Sequence, residues 1–485
     1  MNRTDLIARI RDSGGDELTE RLVQLEAMRC ERARQSPRPG EAATPPDASA
    51  AVDYDVVLAG GGLSLLLAPV LADQGLRVGV FERHRAGTAH REWNASAPEL
   101  RPLVEAGLFS DDEVQALVVA RYAQGVCRWH RGGRYPVQGV LDNAVDAGAL
   151  LDAVRDRAVV RGVEIHDGHA LVGERFGEHG VSLRFAVDGA TREVSTRVLV
   201  DARGASSPYA RSDLLCPTVG GVLTGLASGP ADDELDPGVG DILVTTEGVE
   251  DGRQHIWEGF PGRPGELTTY QFYYARSDDV PDDALLRLYA RFFDTLPRYK
   301  RGAARLLRPT FGYIPGWSRL GPPSTPPHAR CVLVGDAAAR QSPLTFCGFG
   351  HMLRTFVPVS RSIAALVRDQ PVPRFAGSHV LEDEAIHAGT GALAMMIAVP
   401  PRRPDRAGAL NELLDTAFGV LHGLGNDDYA ALLKDQMAPE QFIGFLREAA
   451  RRRPVIYREI LSRLGPLSVA HWGYNLVRER VRAAT

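Results

Sequence analysis

The fold of this chain is decided by residues 58–83, LAGGGLSLLLAPVLADQGLRVGVFER. A short apolar run leads into three glycines, a helical stretch follows, and a second apolar run ends in an acid. This order is typical of a βαβ unit that binds a dinucleotide. In such a unit the glycines let backbone N–H groups reach the pyrophosphate, and the acid accepts hydrogen bonds from a ribose. The predicted contact residues are Gly60, Gly61, Gly62, Glu82 and Arg83.

Two residues depart from this fingerprint. Leu65 stands where the third glycine belongs, and Pro69 falls inside the helix that should follow. The third glycine serves helix–strand packing, so Leu65 affects geometry more than phosphate binding. A proline deep in a helix removes one hydrogen bond and clashes with the carbonyl four residues back, at a cost of about 3 kcal/mol. We predict that the first helix is kinked or shifted, and that the glycine turn is intact.

A second motif lies at residues 329–354, ARCVLVGDAAARQSPLTFCGFGHMLR. Here an apolar strand ends in Gly-Asp, and a Gly-x-Gly precedes a helix. An adenine dinucleotide alone needs no second strand end, whereas the ribityl chain and ring of a flavin extend to one. We therefore expect FAD rather than NAD, with Asp336 accepting from a ribityl hydroxyl and the amides of 346–350 at the flavin ring. The predicted contact residues are Gly335, Asp336, Pro343, Cys347, Gly348 and Gly350.

Composition and charge narrow the class of protein. At 485 residues the chain is long enough for two or three domains, and its net charge of −5 gives no reason to expect a nucleic-acid partner. Five scattered cysteines without a CxxC pair indicate neither disulfides nor zinc and fit a reducing cytoplasm. His166 and His169 have no third ligand at metal spacing, so we expect no metal. The N-terminus does not resemble a signal peptide, and no run approaches the roughly 20 apolar residues of a membrane-spanning helix.

The pattern of strands and helices predicts an α/β fold. We expect a Rossmann-type, three-layer ββα FAD-binding domain with an inserted antiparallel β-sheet substrate domain and a helical C-terminal region. A hairpin turn is expected at Asp188-Gly189. The predicted ranges are 1–34 for an N-terminal helical segment, 35–52 for a linker, 53–90, 144–217 and 329–370 for the FAD-binding domain, 91–143 and 218–328 for the substrate domain, and 371–485 for the helical region.

Four segments carry a resemblance to a known family: HREWNAS (90–96), IWEGFP (256–261), TTYQFYY (268–274) and QSPLTFCGFGHMLR (341–354). From about residue 50 onward the chain resembles the FAD-dependent lycopene cyclases of green sulfur bacteria and cyanobacteria, within the wider flavoprotein monooxygenase-like superfamily. It departs from them at Leu65, Pro69 and Ala95. The resemblance implies redox-neutral cyclisation of a linear carotenoid end group, reduced flavin that stabilises a carbocation, and NAD(P)H as reductant.

Such a cyclisation begins with proton donation, and burial keeps a carboxylic acid protonated by raising its pKa. Glu258 is the first candidate, because it follows Trp257 in an apolar, strand-like segment; the alternative is a surface or salt-bridged glutamate. Glu92 is the second candidate, and an Arg91–Glu92 pair would equally serve as structural support. Asp201, at a strand end, is expected to be structural. Aromatic residues that would line a polyene site, or else fill the sheet core, are Trp93, Trp257, Phe260, Tyr270, Phe272, Tyr273 and Tyr274.

Two other functions remain open on sequence grounds. One is a flavin-dependent monooxygenase or dehydrogenase that acts on another polyene, polyketide or aromatic metabolite and needs no protein acid. A halogenase is disfavoured because the chain has no WxWxIP segment. The other is a flavoprotein-like binding protein that has lost its cofactor. In each case we expect an apolar small molecule as the partner and a cytoplasmic location. The basic runs at 400–406 and 451–454 leave peripheral membrane contact open. Nothing in the sequence indicates an oligomeric state.

Overall fold

The protein is described by a computed structural model that covers residues 2–34, 51–89, 91–368, 388–399 and 408–484. Most of the predicted linker, the basic run at 400–406 and residues 369–387 lie outside the described residues. The described part of the chain contains eighteen strands and thirteen α-helices.

The strands are β1 Tyr54–Ala59, β2 Val78–Glu82, β3 Glu92–Ala95, β4 Val118–Arg121, β5 Gln124–Arg128, β6 Arg134–Val137, β7 Asn143–Asp146, β8 Glu164–Asp167, β9 Ala170–Phe176, β10 Val181–Val187, β11 Ala190–Asp201, β12 Leu214–Leu226, β13 Val239–Val244, β14 Ile256–Pro261, β15 Leu267–Phe272, β16 Ala275–Arg276, β17 Gly302–Gly316 and β18 Cys331–Leu333. The α-helices are α1 Arg3–Arg34, α2 Leu67–Asp73, α3 Ala97–Glu105, α4 Asp111–Leu117, α5 Ala147–Val160, α6 Ala284–Tyr299, α7 Gly348–Arg368, α8 Ala388–Ala398, α9 Ala409–Leu424, α10 Asn426–Leu433, α11 Pro439–Arg452, α12 Ile456–Leu464 and α13 Pro466–Ala484.

The first sheet contains β1 and β2, the strands on either side of the glycine turn. β1 pairs in parallel with β2 on one side and with β11 on the other, and β8 and β18 extend the parallel part. β9 and β10 continue the sheet in antiparallel fashion from the first half of β11. The turn at Asp188 and Gly189 has positive φ at both residues, 48° and 77°, as a two-residue hairpin requires, so that prediction is confirmed. The predicted α/β fold with a helical C-terminal region is also confirmed.

The second sheet has the strand order β16-β12-β15-β14-β13-β5-β6, with β17 paired to β12. The prediction of an antiparallel sheet was wrong at one place, because β5 and β13 run parallel. These two strands are more than 100 residues apart in the chain, so no tight turn forces them to be antiparallel. β12 begins at Leu214, so the predicted domain boundary at residue 217 falls inside this strand. A small third sheet contains β3, β7 and β4.

The N-terminal segment forms the predicted helix, which packs against the second sheet. Gly15, at φ 86° and ψ 172°, divides α1 into two parts. Its apolar side chains join one core cluster with α6 and with the face of the sheet that contains Trp257. None of the described helices is both long and apolar enough to cross a membrane.

The helix after the glycine turn is shifted, as predicted from Leu65 and Pro69. Residues Leu63–Leu66 form a 3-10 turn, in which the Leu65 N–H donates to the Gly62 carbonyl at 3.0 Å, and the α-helix begins only at Leu67. Pro69 therefore lies in the first turn of α2, where an N–H has no partner within the helix. Leu65 is fully buried, so it fills the space that a third glycine would leave open.

These two residues should differ sharply in their effect on stability. Leu65→Ala should lower the free energy of unfolding by about 2–5 kcal/mol, because it leaves a cavity in the core. Pro69→Ala should lower it by only about 1–2 kcal/mol, because it removes fewer buried carbon atoms and the first helical turn does not depend on the proline. Urea unfolding of both variants measures the difference. Stabilisation by about 3 kcal/mol in Pro69→Ala would mean that this proline breaks the helix interior.

Candidate active site

The glycine turn is intact and open toward solvent on one side. Gly60 has a φ of 118°, and a side chain there would collide with the Ala202 carbonyl at the end of β11. A side chain on Gly61 would collide with Ala86. At Gly62, by contrast, an added Cβ would meet no protein atom within 4 Å. The first two glycines thus let segments of backbone approach one another, and the third faces open space.

The acid at the end of β2 is turned onto this loop. One oxygen of Glu82 accepts from the Gly61 N–H at 2.8 Å, and the other accepts from the His84 N–H at 3.0 Å. Arg83 is exposed. The carboxylate is therefore held beside the glycine turn, at the position where the sequence predicted a ribose contact.

The second motif contributes another open surface. Gly335 has a φ of 59°, and an added Cβ would meet no protein atom within 4 Å at either Gly335 or Gly348. Asp336 is exposed next to them and accepts from the Gln341 amide at 3.0 Å. Partial desolvation by the surrounding protein raises the pKa of Asp336 to about 6, against the lowering effect of that hydrogen bond.

Three other predicted contact residues take different positions. A Cβ on Gly350 would collide with the Glu99 carboxylate, so this glycine allows α7 to pack against α3. Pro343 is buried and lies close to Gly316 at the end of β17. Cys347 lines the cavity described next, and burial raises the pKa of its thiol to about 12. Pro343 and Gly350 thus shape the loop before α7 rather than its open surface.

A cavity of about 340 Å³ joins the second motif to the second sheet. Its wall includes Leu63 from the turn after the glycines, alternate residues of β12, β14 and β15, and residues 310–314 of β17. The volume falls within the usual range of small-molecule sites. The structure brings together the following charged, sulfur-containing and aromatic lining residues: Arg91, Glu92, Trp93, Cys216, Glu258, Phe260, Tyr270, Phe272, Phe311, Tyr313, Asp336, Phe346, Cys347 and Phe349.

Glu258 projects into this cavity without a partner. It lies opposite Tyr270 on the next strand, and both residues line the cavity. No described residue forms a hydrogen bond or an ion pair with the Glu258 carboxyl. Burial raises the pKa of this carboxyl to about 8, so it is largely protonated at neutral pH. Glu258 is thus a neutral acid facing a mostly apolar wall.

Glu92, the second predicted acid, also lines the cavity, but both of its carboxyl oxygens accept hydrogen bonds. Its side chain is 3% exposed and accepts from the Thr268 hydroxyl at 2.9 Å and from Arg263 at 3.3 Å. The expected pair between Arg91 and Glu92 is not formed, because Arg263 of the β14–β15 connection takes that place. Both carboxyl oxygens are thus bound by side chains of β15 and of the β14–β15 connection, which suits a structural role.

Arg91 is a cavity residue that the sequence reasoning missed as a candidate. Its guanidinium lies 5.8 Å from the centre of the Tyr270 ring, and its buried Nε has no hydrogen-bond partner. No carboxylate among the described residues forms an ion pair with it. No local sequence pattern indicates this, because Glu92 pairs with Arg263, which is distant in the chain.

The aromatic residues divide between the two faces of the second sheet, as strand alternation requires. Phe260, Tyr270 and Phe272 line the cavity, together with Trp93. Trp257 points to the opposite face and stacks on Tyr299 with 4.5 Å between ring centres. The remaining two also belong to the core: Tyr273 packs with α6, and Tyr274 stacks on Phe346.

Two further polar groups have structural positions. Asp201 is completely buried and accepts from the Ser207 hydroxyl at 2.7 Å and from Arg203 at 2.8 Å, so it fixes the loop that contains Ala202. His166 stacks on Phe81 with 4.4 Å between ring centres. Within the described ranges, no group of three or more His, Cys, Asp or Glu residues is placed to hold a metal ion.

Comparison with protein-family models found no match, and comparison with curated proteins found none either. Solved structures do match. A geranylgeranyl bacteriochlorophyll reductase-like protein of Thermoplasma acidophilum aligns with a TM-score of 0.59 at 14% identity, over 85% of this chain and 99% of its own. Halogenase PltM in complex with phloroglucinol and FAD aligns with a TM-score of 0.59 at 13% identity, over 88% of this chain and 96% of its own.

A third similar structure is p-nitrophenol 4-monooxygenase from Pseudomonas putida, with a TM-score of 0.54 at 15% identity over 78% of this chain and 98% of that one. At such identities the similarity shows the fold alone, which this chain shares with the reductase-like protein, the FAD-bound halogenase and the monooxygenase. It does not single out the lycopene cyclases.

The raised pKa of Glu258 predicts how stability depends on pH. In the unfolded chain a glutamate has a pKa of about 4.3, so between there and about 8 the native state holds a proton that the unfolded state has lost. Stability should therefore fall as the pH rises through this window, by at most about 1.4 kcal/mol per pH unit. Glu258→Gln should remove this loss, so the variant should gain on the wild type as the pH rises.

Urea unfolding between acidic and mildly alkaline pH measures the effect. The matched control is Glu178→Gln, which changes an exposed carboxyl and should leave the pH dependence unaltered. Parallel curves for the wild type and Glu258→Gln would show that Glu258 titrates normally.

Proposed function

We propose that this protein is an FAD-dependent enzyme in which Glu258 donates a proton to an apolar, unsaturated substrate, in the manner of a lycopene cyclase. The observation that carries the proposal is the position of Glu258: an unpartnered carboxyl, largely protonated at neutral pH, in the cavity that the second cofactor motif also lines. The similar fold of FAD-dependent proteins supports the cofactor, and the resemblance of four sequence segments supports the substrate class.

The residues present fit FAD. The open face at Gly62 lies at the start of the turn that leads into α2, where backbone N–H groups favour a diphosphate. Glu82 would accept from the ribose, and Asp336 from the ribityl chain. The open faces of Gly335 and Gly348 leave room for the flavin end next to the cavity. Bound and reduced, with NAD(P)H as the source of electrons, FAD would supply an electron-rich surface beside developing positive charge.

The chain's own residues would carry out the rest of a redox-neutral cyclisation. The Glu258 carboxyl transfers its proton to the terminal double bond of the substrate, and the internal double bond then attacks the carbon that becomes cationic. This attack closes the ring, and the cyclic cation then loses a proton from a neighbouring carbon to the Glu258 carboxylate, which restores a double bond and the acid. Phe260, Tyr270 and Phe272 line the same wall, where aromatic faces stabilise a passing cation.

A second candidate is supported by a specific observation, the guanidinium of Arg91, which forms no ion pair with a described carboxylate. A permanent positive charge in the cavity favours an anionic reactant, such as a phenolate or a carboxylate, and opposes a carbocation. This arrangement suits a flavin-dependent monooxygenase or dehydrogenase that acts on another polyene, polyketide or aromatic metabolite. Under this alternative Glu258 would not be essential, whereas Arg91 would bind the substrate.

Retention of FAD can be tested at Gly348. Gly348→Leu places its side chain where no protein atom lies within 4 Å, so the chain should fold while the flavin end of the cofactor site is filled. We expect the purified variant to lose the flavin absorbance of the wild type. Gly444→Leu, whose Cβ also meets no protein atom but lies in α11, is the matched control and should keep the flavin. An unchanged flavin content in Gly348→Leu would contradict the placement of the cofactor.

The reaction can be tested in a lycopene-accumulating bacterial host. Expression of the wild type should yield a cyclised pigment, and Glu258→Gln should reduce its amount by about 100-fold or more while flavin remains bound, because an amide cannot donate the proton. Glu92→Gln should retain activity, since Glu92 supports the site through Thr268 and Arg263. Unchanged lycopene with a flavin-loaded wild type would refute the cyclase and leave the oxidoreductase.

A further inference from the structure

The last helix, α13, exposes a stripe of apolar side chains. Leu467 is 87% exposed, and Tyr474 and Val477 are each 63% exposed. With Ala470, which is also exposed, they recur at spacings of three and four residues, so they lie along one side of the helix. The preceding helix, α12, adds Tyr457 and Leu461, at 53% and 47% exposure.

The opposite side of α13 is already used for packing. Val469, Trp472 and Leu476 pack into the core of the helical C-terminal region, and Asn475 donates to the Arg319 carbonyl at 3.2 Å. A helix that is apolar on two sides is normally covered on both. Since one side of α13 packs on the protein, the exposed side requires another apolar surface.

Charge indicates what that surface is. Residues 451–482 contain eight arginines and only two glutamates, although the whole chain has a net charge of −5. Both glutamates are held by arginines of the protein: Glu459 by Arg453 at 2.7 Å, and Glu479 by Arg319. Arg458 and Arg478 are exposed beside the apolar stripe and form no ion pair with any described residue. The rest of the chain therefore carries the negative charge, and this end is basic.

We propose that the exposed side of α13, with Tyr457 and Leu461 of α12, docks on an anionic lipid bilayer. An amphipathic helix with arginines beside aromatic and aliphatic side chains is suited to the boundary between headgroups and acyl chains. Anionic lipid attracts the basic end and repels the remaining, acidic surface, which orients the protein on the membrane. A second copy of the chain is a poorer partner, because a symmetric contact would bring the arginines of both copies together.

Sedimentation with vesicles tests the docking. The wild type should bind phosphatidylcholine vesicles that contain phosphatidylglycerol, and should bind pure phosphatidylcholine more weakly. The triple variant Leu467→Ser, Tyr474→Ser, Val477→Ser should bind the mixed vesicles at least about tenfold more weakly, since it removes most of the apolar stripe. Arg458→Gln with Arg478→Gln should weaken binding to mixed vesicles only, because it removes the attraction to anionic lipid.

The matched control is Val159→Ser, Val160→Ser, Val172→Ser, which removes three apolar residues that are 54–86% exposed in the first sheet and α5. It should bind like the wild type, and circular dichroism should show that both triple variants are folded. Equal binding by the wild type and the α13 variant, or no binding to either vesicle, would overturn the proposal. So would a lipid-free wild-type dimer that dissociates in the α13 variant. The assay uses the purified protein without substrate, so its outcome is independent of the role proposed for Glu258.

Discussion

The whole site depends on the close approach of two backbones at Gly60. β1 and β11 pair in parallel up to Ala59 and Asp201, and the chain then turns at Gly60 with the Ala202 carbonyl against it. Any side chain at Gly60 would separate the two strand ends. Because β18 also pairs with β11, this contact fixes the glycine turn relative to the Gly335-Asp336 strand end. Asp201 holds the loop at Ala202 in place, which gives a buried structural acid an effect on the cofactor region.

Burial has opposite consequences for the two glutamates of the cavity. Glu92 accepts two hydrogen bonds from side chains, and these offset the cost of burying its charge. Glu258 has no such partner, and its lowest-energy form is therefore the neutral acid. The same cavity thus holds one carboxylate that supports the structure and one carboxylic acid that retains a transferable proton. Residue type alone does not separate these roles; the hydrogen-bond partners do.

Local patterns in the sequence predicted much of this arrangement. The glycine turn, the shift of α2 predicted from Leu65 and Pro69, and the Asp188-Gly189 hairpin all follow from interactions between residues close in the chain. The rest depends on distant pairings. Glu92 meets an arginine 171 residues away, and β5 lies parallel to a strand more than 100 residues later, and neither relation leaves a local pattern. Because of the first of these pairings, Glu92 bonds to Arg263 instead of Arg91.

Arg91 and Glu258 favour different kinds of ligand in the cavity. Glu258 can lower the cost of burial by remaining protonated, so it requires no counter-ion. Arg91 cannot become neutral in this way, because a guanidinium stays charged at any pH a protein tolerates. Its Nε is buried and without a partner, and the face of Tyr270 compensates only part of the charge. Arg91 is half-buried and pairs with no described carboxylate, so an anion bound in the cavity would find a cation to pair with there. If the anion belongs to the cofactor, Arg91 and Glu258 serve the same reaction, with charge held on one side and a proton supplied on the other; if it belongs to the substrate, the substrate is not a hydrocarbon.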